Sequence, residues 1–547
     1  DNNMADARSK ITESEINSLQ ELFHRSAKTF PDNIAVTFSG DAVESVSYRD
    51  LSNKVKKLST VFAKIFSQNE VVGIYSRDCL NLPALLLAVM DASAAFYPIS
   101  TTIQSRKVIE SINHRSLRYI LVDNGVLQNI MNFGEYDSKL EIAESKLLQE
   151  FQFTLLKVAS RNQPCVVNWS KDVAYVLQTS GTTGDPKAVF VPHSCIVPNI
   201  LHLSSIFEVN SRDVVYLASP YTFDPFIVQM FLAFHNGAEL LITTQATKLI
   251  PERLCRKLVD QHKITILQPT PSLLYYIGEN LISDKILSEN SSLSVLAIGG
   301  ESCPPLSTLR KWKHVKCKTR LYNIYGITEV SSWATCSHIT DDKLNVAVNE
   351  IGVSTTCELG PPLMQTELIV NDDNGDLISE NGIGLLQIGG KDRQCLVEGE
   401  TEESVQIMRD SGDIVEIKDG HMWYVGRSDN QIKRFGHRIN LDYIEETVRE
   451  CMNVTSCTLV LQPVSTGGGN LLHLCVVPNL PTERSSDDMQ RYRTALCKQI
   501  RDILPRSSQP DQVHLFCAFP MTYHGKVDKR KVLRIVLDRN SHCTCNN

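Results

Sequence analysis

The chain has 547 residues, 42% hydrophobic and 21% charged, the balance of a globular protein too long for one ordinary core. Its formal net charge is −7, and with no long basic block this argues against a nucleic-acid partner. The sixteen cysteines are scattered without a Cys-x-x-Cys pair, so buried free thiols are expected rather than a disulfide or zinc framework.

The first residues are polar and lack the basic and apolar segments of a signal peptide, so a cytoplasmic location is expected. Apolar, β-branched runs then alternate with helical patterns. Strands are predicted near 71–75, 118–122, 214–218, 264–268 and 294–298, with a helix over 228–236. The most apolar stretch, 82–98, contains Asp91 and is bounded by prolines, which predicts a buried helix and no membrane span. Residues 135–160 are charged and read as a surface excursion. This order predicts an α/β fold, a large domain of layered, mostly parallel sheets. After about Gly352, short strands separated by Gly, Asp and Asn predict a small antiparallel or barrel-like β subdomain. A linker is placed near Gly426–Asn430, and helix 442–451, strands 456–462 and 471–478, helix 489–504 and strand 512–517 predict a compact α+β unit. The expected division is 1–426 and 427–547.

Between the runs at 173–177 and 189–191 lies Thr179-Ser180-Gly181-Thr182-Thr183-Gly184-Asp185-Pro186-Lys187. Glycines let backbone N–H groups converge on an anion, and hydroxyls and a lysine add donors, so the loop suits nucleotide phosphates. A solvated turn is the plainer alternative. It is not a Walker A loop, since Asp-Pro-Lys follows Gly184. Four clusters stand downstream: Gly299-Gly300-Glu301, Tyr322-Asn323-Ile324-Tyr325-Gly326-Ile327-Thr328-Glu329, Arg409-Asp410-Ser411-Gly412-Asp413, and Gly525-Lys526-Val527-Asp528. Each alone is explained by a turn or a strand end.

Together, in this order, the loop, the YGITE and SGD clusters, GRSDNQIKRFGHRI and the terminal Gly-Lys resemble the adenylate-forming superfamily, and within it the amino-acid adenylation domains. The resemblance spans about residues 22–533. It implies ATP and Mg²⁺ as cofactors, with 179–187 on the β- and γ-phosphates. It implies that Gly300, Glu301 and Asn323 frame the adenine and that Tyr325 stacks on it. Thr328 would contact the α-phosphate and Glu329 the metal. Asp413 would take the ribose hydroxyls, and Arg427 ribose or phosphate. Lys526 would bridge the attacking carboxylate and the α-phosphate. Asp429 matches a hinge about which a mobile C-terminal domain rotates, after which the face with Ile432-Lys433-Arg434-Phe435-Gly436 admits a phosphopantetheine thiol. No Gly-x-Ser carrier segment follows Lys526, so a carrier protein or domain outside this chain is the expected partner.

The acid is read from Phe223-Asp224-Pro225-Phe226. Asp before Pro is a good helix N-cap. By the resemblance, Asp224 pairs instead with a substrate ammonium, which selects amino acids over fatty acids. The resemblance lines the acyl pocket with Val228, Ile266, Ala297, Gly299, Ile324, Ser332 and Trp333. If the Trp333 indole points inward the pocket is shallow; as an ordinary core aromatic it says nothing. A shallow pocket with one carboxylate and no Lys or Arg suits β-alanine better than aminoadipate. A short-chain acyl-CoA synthetase and a non-catalytic scaffold are the competing readings.

Overall fold

The computed structural model describes residues 16–542 apart from 103–104, 132–139, 145, 160–162, 164, 180–186, 350–356, 373, 429–430, 435–436, 453, 464–469, 480–485, 505–507 and 523–524. Local chemistry accounts for the elements directly. In the helix Tyr48–Phe62 the apolar residues at 48, 51, 55, 58 and 62 fall on one buried stripe, and the Ser47 hydroxyl caps the first turn by accepting from the Asp50 N–H. The strand Val295–Gly299 is apolar and buried at every position, as a strand covered on both faces requires.

Two eight-stranded sheets dominate. The first runs Thr335–Ile339, Arg320–Tyr325, Val295–Gly299, Ile266–Leu267, Val214–Tyr216, Glu239–Thr243, Ile34–Ser39, Val43–Ser47. It is parallel except at its two outermost pairs. The second is mixed. Val173–Thr179, Ala95–Ile99, Val71–Tyr75 and Tyr119–Asp123 run parallel in its centre, flanked by antiparallel strands on both sides. One flank corrects the reading of 135–160 as a surface excursion. Phe153–Val158 is a largely buried strand paired with Tyr119–Asp123, and Leu140–Glu144 pairs with it in turn.

Side chains from both sheets and from helices Leu82–Asp91, His193–Phe207 and Pro225–Asn236 form one hydrophobic cluster. The helix Leu82–Asp91 is buried along its length except at Asp91, whose carboxylate meets His24 Nε2 at 2.9 Å. No helix among the described residues is long and apolar enough to cross a membrane. The predicted β subdomain is a four-stranded antiparallel sheet, Glu367–Asn371, Gly382–Gly389, Met408–Lys418 and His421–Arg427. Beyond it, Val454–Pro463, Asn470–Pro478 and Gln512–Leu515 form a three-stranded sheet. Helices Leu441–Cys451, Ser486–Ile503 and Lys529–His542 pack with it, and two hydrophobic clusters here draw only on residues past 440.

Candidate active site

Two parallel strands of the first sheet, Val295–Gly299 and Arg320–Tyr325, end side by side. The turns after their carboxyl ends carry Gly300-Glu301 and Gly326-Ile327-Thr328-Glu329, the edge where open α/β sheets hold ligands. There a cavity of about 560 Å³ opens, within the usual range for small-molecule sites. Thr179, Gly300, Glu301, Asn323, Tyr325, Thr328, Glu329, Asp413 and Lys526 all line it, and so do Asp224, Ile324, Ser332 and Trp333. Residues scattered over about 350 positions of the chain are thereby gathered at one place, from Thr179 to Lys526.

The strands that flank the segment 180–186, Val173–Thr179 and Lys187–Pro192, pair antiparallel, with Thr179 opposite Lys187. Ser180, Gly181, Thr182, Thr183 and Gly184 lie outside the described residues. The Lys187 side chain is exposed and does not line the cavity. The Tyr325 hydroxyl donates to Asp413 Oδ2 at 2.5 Å, and burial with that carboxylate holds the phenol well above its ordinary range. Asp413, on the strand Met408–Lys418, is thus tied to the end of the strand Arg320–Tyr325. Arg427 pairs with Asp413 across the strands through its backbone. Asn323 Nδ2 donates to the Glu358 carbonyl at 2.8 Å. Glu301 accepts from the N–H and hydroxyl of Ser272 at 2.9 and 2.7 Å, and burial raises its carboxyl pKa. It therefore anchors the start of the helix Pro271–Ile277 as well as facing the cavity.

Asp224 sits at the start of the helix Pro225–Asn236, but its side chain makes no capping hydrogen bond. The carboxylate is buried and lines the cavity. Burial pushes its pKa up to about 6; the Thr328 hydroxyl and the Lys526 charge pull it back, and Glu329 adds to the rise. Two carboxylates repelling one another beside one lysine make a site that favours an added cation. A hard divalent ion such as Mg²⁺ is commonly held by one or two carboxylates and by substrate phosphates, so Glu329 beside a nucleotide fits it. Asp429, the expected hinge, lies outside the described residues.

Lys526 comes from a tight hairpin. Met521 pairs with Val527, the Thr522 N–H donates to the Lys526 carbonyl at 2.6 Å, and Gly525 turns the chain at φ 76°. The Lys526 ammonium stands 5.9 Å from the centre of the Phe223 ring. A second contact, 2.9 Å from the Ser302 hydroxyl to Glu446 Oε1, ties the helix Leu441–Cys451 to the rim of the cavity.

Trp333 is both things the sequence allowed. Its ring is 3% exposed and part of the main core, and it also lines the cavity. Val228, Ile266, Ala297 and Gly299 do not line the cavity. The first three are buried in the core that also holds Trp333, and a Cβ on Gly299 would stand 2.7 Å from Trp333 Cη2. Trp333 therefore fills the space above Gly299. Sequence reasoning missed Gln178, Ser302, Cys303, Leu359, Tyr424 and Thr522, which also line the cavity. Phe223 was quoted but given no role. Nothing in their local sequence signals a site, because each reaches the cavity through tertiary packing.

Residues 23–396 match the family of AMP-binding enzymes. The human beta-alanine-activating enzyme is 34% identical over 95% of this chain and 49% of its own length. The Drosophila melanogaster protein of the same name is 30% identical over 94% of this chain and 50% of its own. The chain thus spans about half the length of the curated relatives it matches. A four-domain nonribosomal peptide synthetase bound to AMP and glycine superposes with a TM-score of 0.73 at 23% identity, covering 96% of this chain and 37% of that one. An anthranilate CoA ligase in complex with anthranoyl-AMP gives 0.74 at 16% identity, over 97% and 100%. The chain belongs to the AMP-binding enzymes, the adenylate-forming superfamily.

Proposed function

We propose that this chain activates a small amino acid, β-alanine foremost, as its aminoacyl adenylate with release of pyrophosphate. The observation that carries this reading is Asp224, a buried carboxylate that caps nothing and lines the same cavity as Lys526. Burial of this carboxylate is costly and the Thr328 hydroxyl and Lys526 charge offset it only in part, so an ammonium group supplies the missing counter-charge. The Trp333 ring limits the depth of that end, which suits a short acid. The names of the curated relatives support the same substrate.

In this reading the amino-acid carboxylate attacks the α-phosphorus of ATP and pyrophosphate leaves. Negative charge builds on the phosphoryl oxygens, and Lys526 offsets it where water is largely excluded. Thr328 donates to the α-phosphate, Asp413 holds the ribose hydroxyls in the orientation set by Tyr325, and Glu329 would hold Mg²⁺, which when bound would supply charge neutralisation at the phosphates. The residues 179–187 hold the β- and γ-phosphates. Rotation about Asp429 would then carry Lys526 out and bring the 432–436 face to a phosphopantetheine thiol on a carrier.

ATP–pyrophosphate exchange across a panel of amino and fatty acids tests the first half. Exchange with β-alanine supports it; exchange with medium-chain fatty acids and none with amino acids overturns it. Thioester formation on a phosphopantetheinylated carrier, compared with free CoA, tests the second.

A further inference from the structure

Arg393 is the largest side chain buried completely in the described structure. Its Nη1 donates to the Cys195 carbonyl at 2.8 Å, and its Nη2 to the Trp333 and Ser331 carbonyls at 2.7 and 3.3 Å. It forms no ion pair with a carboxylate among the described residues, whereas the nearby Arg409 pairs with Glu400 at 2.7 Å. Burying a guanidinium this way costs the fold more than an apolar residue of similar volume would. What the guanidinium supplies is a rigid fork, and both ends of it grip backbone carbonyls.

The gripped backbone is unusual. Ser331 and Ser332 both have left-handed φ, 62° and 77°, a conformation that non-glycine residues adopt at a cost. Such a kink persists only where its surroundings over-determine it. Here one Nη2 ties the carbonyls on either side of Ser332, and Asn199 Nδ2 donates to the Trp333 carbonyl as well, at 2.6 Å. The Ser332 carbonyl packs against Gly326, where a Cβ would fall 1.9 Å away. Beyond the kink, Ser332 and Trp333 line the cavity that contains Asp224.

We propose that Arg393 is a positioning residue that sets amino-acid specificity: by holding the Ser331–Trp333 kink it fixes how far the Trp333 ring closes the acyl pocket. It touches no substrate. Arg393→Lys replaces the planar fork with a single ammonium and Arg393→Met removes every donor, so in either the grip on the Cys195, Ser331 and Trp333 carbonyls weakens, Trp333 loosens and the pocket deepens. The catalytic part of this inference rests on the amino-acid reading above; Arg393 itself donates to none of the residues given to the nucleotide.

The test uses the full chain with Arg393→Lys, Arg393→Met and Asn199→Ala. The last removes the second donor to the Trp333 carbonyl and leaves Arg393 in place, so a result stands even where Arg393→Met fails to fold. In pyrophosphate exchange the KM for β-alanine is expected to rise about tenfold or more, with longer amino acids gaining relative to it. The KM for ATP is expected to stay within about twofold. Hydrogen–deuterium exchange at the Ser331 and Ala334 amides, which donate to Thr328 and Tyr325, is expected to quicken. Unchanged amide exchange with an unchanged acid profile overturns the proposal, and so does a parallel rise in both KM values. If the wild type activates no amino acid, the functional reading fails, while amide exchange still decides the role of Arg393.

Discussion

Asp224 shows how one residue's environment is tuned at a cost to the fold. Its carboxyl lies near 6 in the ligand-free fold against an ordinary 3.8, chiefly through burial. A raised acid pKa means that the folded state binds the proton more tightly than the unfolded chain. The stability tied to that proton is fully present below about pH 4 and is lost as pH rises through about 6, a difference of about 3 kcal/mol. Asp224→Asn is therefore expected to raise the melting temperature of the ligand-free protein at pH 7.5, read by calorimetry. The same change leaves the substrate ammonium unpaired, worth about 3–5 kcal/mol, so exchange with β-alanine should fall a hundred-fold or more. In the wild type, kcat/KM for the amino acid should fall as pH drops below about 6, because the free enzyme then protonates Asp224. A flat profile from pH 7 to 5 would show that this carboxylate does not bind the ammonium. The position of Asp224 was legible as a motif, but its duty was not. Asp before Pro also reads as a helix cap, and the structure shows no capping bond from its side chain.

Elements with a clear period were legible, and those whose meaning lies in a partner were not. The strands at 71–75 and 295–299 announce themselves as unbroken apolar runs, because both faces are covered. Phe153–Val158 was hidden by the charged residues before it; its burial comes from pairing with Tyr119–Asp123. The hairpin bearing Lys526 was visible as a Gly-Lys turn, and the structure shows why glycine stands there, at φ 76°. Lys526→Ala should slow adenylation about a hundred-fold or more in pyrophosphate exchange while the melting temperature stays put. Gly299→Ala acts on the neighbouring strand end. Its Cβ would fall 2.5 Å from the Ile324 carbonyl and 2.7 Å from the Trp333 ring. We expect it to destabilise the protein by about 1–3 kcal/mol in urea unfolding and to raise the KM for β-alanine through Trp333. Unchanged stability and KM would mean that the strand end has more room than its backbone shows.

At the scale of the whole molecule the C-terminal part reaches the site through Thr522, Lys526 and Val527 and through the Ser302–Glu446 hydrogen bond. Glu446, which accepts from the Ser302 hydroxyl, has its carboxyl pushed up to about 7 by burial in that contact. Arg449 lowers it, while Glu450 and Asp442 raise it further. Undocking removes the burial that raises the group, so docking is favoured by the proton and weakens as pH rises through about 7. Distance measurements between fluorophores on the two parts should report less docking at pH 8 than at pH 6, and Glu446→Gln should flatten the trend. A trend that survives in the glutamine variant assigns the pH dependence elsewhere. The sequence by itself determined the family, since the loop, YGITE, SGD and Gly-Lys clusters each keep their characteristic residues within a few adjacent positions. Only the tertiary structure decided what surrounds Trp333. Asp224 shares its cavity, Gly299 lies against its ring and Arg393 holds its carbonyl, each from a segment far away in the chain, because these neighbours are set by how the core packs and by no local pattern.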